Sequence, residues 1–493
     1  MRLVQSISFG SRIAEDEFND LGAYFVRTET WRKVRSGEVD VVLAPKGSGK
    51  SAIYSMLVSS EDELFDENIL IAAGENPTGA PAFASLQEET PTEGEIIKIW
   101  KLYFLVLLSE ELSDYGIETE QSKELFKHLR DADLLPEKRP KTTLLTMVRD
   151  YISRLFNARA AGATVQVDPT TSMVTGFEGR IEFGEPTLAD AKRGFVSIDH
   201  LYRLAEGSLT EAGYRFWLVL DRLDVAFASS PELERNALRA LFRVYRDFAA
   251  LPCISLKIFL RSDIWEAIID DGFREASHIN DAEIKWDTET LRQLVVRRLS
   301  QSDELCKHYG VDAAKVLATA TEQEKFFYLI FPAQVDAGSG KTATFDWCLS
   351  RTRDGKGITA PRELIHLMSE ARDAQIDRYV TGQAQPNDPA LFHPRSLDAA
   401  LPSVSKTRLV RTIYAEFSDI KQYLEMLRGK KTEQNAQSLA REWKLDEAQA
   451  KVIAERLVDI GIFEKRSNYW VPFMYRPALD LVQGAAEGVR EKN

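Results

Sequence analysis

Two stretches of the chain carry the same four letters. Gly47-Ser48-Gly49-Lys50 is followed by Ser51, and Gly338-Ser339-Gly340-Lys341 is followed by Thr342. Small residues in such a run let backbone N–H groups wrap an anion, and a lysine beside a hydroxyl can reach phosphate oxygens and a Mg2+ ion. The letters alone do not make a site. A buried strand has to deliver the chain to the loop, and a helix has to begin at the Lys-Ser pair so that its N-terminal dipole faces the anion.

The first copy meets both conditions. "VDVVLA" (39–44) is a short β-branched run that reads as a buried strand, and "SAIYSMLV" after the loop reads as a helix. The eight-residue frame runs Ala44-Pro45-Lys46-Gly47-Ser48-Gly49-Lys50-Ser51, with alanine where a first glycine is usual. In it Lys50 reaches the β- and γ-phosphates, the Ser51 hydroxyl ligates Mg2+, and the amides from Gly47 to Ala52 cradle the phosphates. Pro45, Lys46 and Ser48 complete the expected nucleotide-binding set. The second copy follows "FFYLIFP", which Pro332 breaks, and reads as a Gly/Ser surface loop.

A Mg2+ site also needs a carboxylate at the end of a neighbouring strand. "FWLVLDRLD" supplies Asp221 after five apolar residues, and the long stretch between Lys50 and Asp221 leaves room for an intervening strand. Position 222 is arginine, so no glutamate base follows. Asp224 is left either to orient water or to cap the next segment. "LKIFLRSDIW" ends another strand at Arg261, where a sensor of the γ-phosphate is expected, with a surface ion pair as the alternative. "GITAPRELIHLM" starts a helix with Pro361 in its first turn and Arg362 beside it, so that Arg362 can swing onto the γ-phosphate.

The elements that must position these residues alternate. Strands are expected at 39–44, 68–74, 214–221 and 254–260, and helices at 93–112 and over "ELERNALRALFRVYRDFAAL", which implies a parallel sheet covered on both faces. The fold class expected is α/β, a three-layer αβα core over 1–300 with a β-hairpin inserted at about 160–185. A helical lid over 301–380 follows, then a Pro/Asn/Asp/Ser-rich linker at 381–405, then a final unit over 406–493.

The bulk numbers fit this reading. Of 493 residues, 44% are hydrophobic and 28% charged, an ordinary globular composition, and the length calls for more than one domain. The net charge of −13 speaks against indiscriminate binding to nucleic acid or anionic membrane. Cys253, Cys306 and Cys348 form no CxxC pair, so a reducing cytoplasm is expected and no thiolate metal site. The start "MRLVQSISFG" has no apolar segment of the secretory kind, and "IWKLYFLVLL" is too short to span a bilayer.

The succession "VVLAPKGSGKSA", "FWLVLDRLD", "KIFLRSD", "IKWDTETLRQLVVRRL" and "TAPRELIHLM" resembles the AAA+/STAND/KAP-like bacterial P-loop ATPases, within them a group with a KGxGKSA loop and a DxxD strand end. The resemblance covers roughly residues 5–375. It implies an αβα ATPase core, a helical lid, ATP with Mg2+, and oligomers in which a neighbour completes the site. Relatives act in bacterial conflict systems such as phage defence beside a separate effector. Arg222, where AAA+ members have glutamate, departs from the pattern and speaks against vigorous motor activity.

In the final unit, "KTEQNAQSLAREWKL" reads as a short helix with a turn and "DEAQAKVIAERLVDIG" as a second helix, capped by Asp446 and ended by Gly461. "IFEKRSNYWVPF" reads as a hairpin turning near Ser467-Asn468, so the unit reads as a winged helix. The second helix is net acidic, while residues 401–493 hold 16 basic and 13 acidic residues and the wing offers Lys465 and Arg466. A protein-contact or self-assembly role is therefore favoured over duplex binding. Two functions follow. One is an ATP-binding, slowly hydrolysing switch that controls assembly or an effector, in antiviral defence by analogy alone. The other is a DNA-acting ATPase that grips duplex through the winged helix. DNA-stimulated ATP hydrolysis separates them.

Overall fold

The computed structural model describes residues 1–11, 21–74, 92–135, 195–223, 231–270 and 272–487, together with Leu144, Met147, Val148, Tyr151, 181–183 and Val489. Two compact units form. One gathers Glu29–Pro45 and Lys50–Ile284 around a sheet; the other gathers Met1–Thr28, Lys46–Gly49 and Lys285–Asn493 and is mainly helical. Residues 1–28 and 285–300, expected with the ATPase core, thus belong to the helical unit.

Among the described residues, the sheet unit is built on five parallel strands, β1 (Val41–Ala44), β2 (Ile69–Ala73), β3 (Arg215–Leu220), β4 (Ile254–Arg261) and β5 (Asp281–Glu283), in the order β2-β3-β4-β1-β5. All four residues of β1 and the last five of β3 are buried. A parallel sheet covered on both faces selects such unbroken apolar runs over alternating ones. The expected strand between β1 and the Asp221 strand is β4, which comes later in the chain, while β2 lies outside β3. β5 was not expected: its sequence, Asp-Ala-Glu, is short and charged, as suits an edge.

β4 carries a charge in its middle. Lys257 is 1% exposed, and its ammonium donates to Val39 O at 2.9 Å and Asp40 Oδ1 at 2.7 Å while lying 4.6 Å from the Trp217 ring centre. Burial lowers its pKa and Asp40 works against that fall. Removing one partner of such a buried pair costs about 3–5 kcal/mol. The helix Glu93–Asp114 starts with a Thr92–Glu95 capping box. It is buried on most sides, its Trp100 donating to Ala237 O at 3.0 Å. Of the expected hairpin at about 160–185 only 181–183 lie within the described residues, and Ile181–Glu182 pair in parallel with Val196–Ser197.

The helical unit has two apolar cores. The first joins Val4, Ile7 and Phe9 to the helices from 288 to 380 and to Leu397, Ala400 and Val404; the second spans residues 409–479. Leu397, Ala400 and Val404 belong to the helix Pro394–Arg408, which occupies most of the stretch expected as a linker. Its composition is loop-like, but its apolar residues recur at helical spacing and His393 caps its start, accepting from Arg395 N. In the C-terminal part, the helices Ala436–Trp443 and Glu447–Asp459 and the Glu464–Lys465/Tyr469–Trp470 hairpin fall as expected. Lys431–Gln434, expected to open the first helix, is instead a strand between Tyr469–Trp470 and Val482–Ala485. Pairing on both sides overrides the helical preference of Lys, Glu and Gln.

Candidate functional site

The chain leaves β1 at Ala44, turns through residues 45–49 and enters the helix α1 (Lys50–Val58) at Lys50. Gly47 and Gly49 have φ of +84° and +93°, values that side chains resist. A Cβ on Gly47 would also stand 3.2 Å from Arg362 Cβ. Backbone conformation therefore fixes both glycines, and space fixes Gly47 as well, as a loop that aims amides at an anion requires.

Within the sheet unit, the strand register brings the expected residues to one edge. Ala44 pairs with Arg261, and Leu220, just before Asp221, pairs with Ile258. Neighbouring strands lie about 4.8 Å apart, so the chain ends of β1, β4 and β3 follow one another along the C-terminal edge. Asp221 is 4% exposed. Tyr54, one turn into α1, is pushed up to about 12, first by burial and then by the Asp221 charge. The Asp221 charge is therefore felt at Tyr54, in the helix that begins with Lys50 and Ser51. Arg222 takes φ of +57°, a strained value for arginine, where the chain turns off the strand. Asp224 lies outside the described residues.

Lys50 Nζ donates to Ala44 O at 2.9 Å and Pro45 O at 3.1 Å. Arg261 makes a two-pronged bond to Asp263, with Nε–Oδ1 3.0 Å and Nη2–Oδ2 2.7 Å. Burial raises the Asp263 pKa, but Arg261 and the nearby Lys50 outweigh it and hold the carboxyl below its usual range. Asp263 was not singled out from the sequence, although it stands in the quoted "LRSD". Arg261 thus reaches this edge already engaged by an acid.

Within the helical unit, residues 46–48 are held by three segments. The Arg362 N–H points to Gly47 O at 3.4 Å, from the first turn of the helix Pro361–Val380. Trp286 Nε1 donates to Ser48 O at 2.9 Å. Lys46 forms an ion pair with Glu416. Neither Trp286 nor Glu416 had a sequence signal, because both act on the loop from far along the chain. The other GSGK lies in an exposed loop closed by a bridge between Gln334 and Ala343, and the next helix starts at Thr344 rather than at Lys341.

The donors present suit Mg2+ with a nucleoside triphosphate: a glycine-shaped loop, a lysine, a hydroxyl at a helix start and a buried carboxylate at a strand end. Among the described residues no cluster of three His, Cys, Asp or Glu offers a separate metal site, and no helix is long and apolar enough to cross a membrane.

No protein-family model matches the chain, and no curated protein matches it. Among solved structures it is similar to Cdc6p from Pyrobaculum aerophilum, at 11% identity and a TM-score of 0.31, over 95% of this chain and 93% of that one. It is similar to the Aeropyrum pernix Orc1 protein solved in complex with DNA, at 10% identity and 0.33, over 92% of each chain. The Aeropyrum pernix Orc2 protein, in ADPNP–ADP complexes, gives 12% and 0.31, over 90% of this chain and 86% of that one. Scores of this size carry neither activity nor partner across.

Proposed function

We propose that this chain is an ATP-binding, slowly hydrolysing P-loop ATPase of the AAA+-like kind that uses nucleotide state to control a partner or its own assembly. The observation that carries the reading is the strand order, with β4 between the loop strand and the Asp221 strand and all three ending at one edge. In this reading the amides of 47–52 and Lys50 bind the phosphates, and Ser51 and Asp221 hold Mg2+. The bound ion neutralises charge on the phosphate oxygens. Arg261 and Arg362 report the γ-phosphate. Arg222 in place of a base keeps turnover slow.

Calorimetry with MgATP tests the site. The wild type is expected to bind, with affinity falling when Mg2+ is omitted, and Asp221→Asn to lose that Mg2+ dependence. Tight binding indifferent to Mg2+ in the wild type overturns the metal assignment. Assembly is read by the mass in solution with and without ATP. A place in antiviral defence rests on the resemblance alone.

One feature of the helical unit favours the second reading, a DNA-acting ATPase. The Arg351 and Arg476 guanidinium carbons lie 3.8 and 3.9 Å from the Phe473 ring centre, and that of Arg466 lies 5.0 Å from the Trp470 ring centre. Arg476 is pushed down to about 10 by burial and then by the Arg351 and Arg466 charges, and Arg351 and Arg476 share the Phe473 ring. Aromatic rings that hold like charges together suit a phosphate backbone. Arg466 is bonded two-pronged by Glu464 at 2.7 and 3.0 Å, Arg351 lies 3.7 Å from Asp336, and Lys465 is engaged by Glu455, so a phosphate has to displace these acids. Strong stimulation of hydrolysis by duplex DNA, lost in an Arg351→Ala/Arg476→Ala variant, supports this reading; no stimulation returns the partner to protein.

A further inference from the structure

The helix Pro394–Arg408 does not stop at Arg408. It runs on through a π-helical stretch, Leu409–Ile413, and a last turn, Tyr414–Glu416. Its first part seats Leu397, Ala400 and Val404 in one apolar core, and Leu409 and Ile413 belong to the other. The π stretch therefore lies where the helix passes from the first core to the C-terminal one. Both ends of that stretch lead to the phosphate loop. Arg408 Nη1 bonds Glu363 Oε1 at 2.9 Å, with side chains only 12% and 6% exposed. Glu363 stands beside Arg362, and its buried Oε2, which has no hydrogen-bond partner, would lie 3.6 Å from a Cβ on Gly47. Glu416 pairs directly with Lys46.

The π turn makes this pairing geometrically possible. In a regular α-helix residues eight apart point about 80° apart around the axis. The extra residue that a π turn takes up turns the later one back by roughly that amount, so Arg408 and Glu416 come onto one side of the helix. Single π turns are uncommon and recur at functional places. The carboxylate set here faces a loop whose task is to accept a polyanion. Glu416 is 15% exposed, and it engages one of the loop's two lysines.

We propose that Glu416 is a positioning residue for the phosphate loop: it holds Lys46 away from the phosphates, and a nucleotide that recruits Lys46 frees the helix end at 409–416. The proposal rests on the ATP-binding reading. Since the coupling is reciprocal, whatever displaces residues 409–416 also tightens nucleotide binding. The C-terminal part of the helical unit is thereby linked to the loop, with the Glu416–Lys46 pair as the contact a nucleotide would break.

The test is MgATP calorimetry on the full chain, with hydrogen exchange of the 409–416 amides followed with and without nucleotide. Glu416→Gln is expected to tighten ATP binding about three- to tenfold and to speed exchange at 409–416 before ATP is added. Glu416→Asp is expected to restore much of the wild-type affinity. In a Lys46→Met background the same Glu416→Gln change is expected to alter affinity less than twofold, which a merely structural role for Glu416 does not predict. An unchanged or weakened affinity in Glu416→Gln, with wild-type binding intact, overturns the latch and leaves the ATP reading standing. Absence of ATP binding by the wild type overturns both.

Discussion

Gly47–Ser51 and Gly338–Thr342 spell nearly the same five residues, yet the fold treats them differently. The first joins a fully buried strand to a helix that begins at its lysine. Its residues 46–48 are bonded by Glu416, Arg362 and Trp286. The second follows the helix Ala320–Ile330 and stands exposed from 336 to 342. Its bonds come from nearby in the chain, such as Gln334 Nε2 donating to Asp336 O at 3.1 Å and Trp347 Nε1 donating to Asp336 Oδ1 at 3.3 Å. Both loops place glycines at positive φ, so backbone conformation alone does not separate them. What separates them is the strand before, the helix after, and the number of distant segments that fix the loop's shape. An anion seat has to be pre-formed to be worth much, because ordering a free loop at the moment of binding costs about 1–2 kcal/mol per residue.

The comparison breaks most decisively at the lysines. Lys50→Ala is expected to weaken ATP binding by at least about 100-fold, about 2.7 kcal/mol, while Lys341→Ala leaves it unchanged. Calorimetry on both variants is sufficient. Equal losses in the two would return the second loop to candidacy, and no loss in either would remove the first.

A finer cut uses the glycines. Gly47→Ala and Gly340→Ala both force a side chain to positive φ, at about 1–2 kcal/mol each. Only Gly47 also meets a neighbour, Arg362 Cβ at 3.2 Å, whereas the space around Gly340 is open. Thermal melts are therefore expected to drop in both variants, and further in Gly47→Ala. ATP affinity is expected to fall about tenfold in Gly47→Ala alone, since the loop and the helix start at Pro361 must shift apart. A tenfold loss in Gly340→Ala would erase the distinction.

How far these differences could be read from the sequence depends on how local their causes are. β1, β3 and β4 were legible because a strand buried on both faces announces itself as an apolar run. The flanking strand and helix were also enough to separate the two loops. β5 was not legible, since Asp-Ala-Glu pairs with β1 only because β1 offers an edge. Lys431–Gln434 misled for the same reason: two neighbouring strands, brought from 469–470 and 482–485, make it extended. Prolines and polar residues hid the helix Pro394–Arg408, whose apolar residues at 397, 400 and 404 were the surviving signal. In the candidate site, Lys50, Ser51 and Asp221 were proposed from local spacing. Glu416, Trp286 and Asp263 gain meaning only through partners that no spacing announces.

The smallest expected effect concerns the edge beside the first loop and has no counterpart at the second. Asp263 has a folded pKa below its ordinary 3.8 because Arg261 and Lys50 outweigh the burial that raises it. A depressed carboxyl pKa adds stability that is complete above about pH 4 and is lost as pH falls from 3.8 through the folded value. The Asp263 side chain is 45% exposed, so solvent screens the pair and the contribution is expected to stay under about 1 kcal/mol. Asp263→Asn is therefore expected to lower the melting temperature slightly at pH 7, with the difference from the wild type shrinking as pH falls below 3.8. The same variant releases Arg261 from its two-pronged partner. If Arg261 senses the γ-phosphate, the variant's preference for ATP over ADP changes at pH 7 while Asp336→Asn, beside the second loop, leaves it alone. An unchanged preference would assign Arg261 to the ion pair and not to the nucleotide.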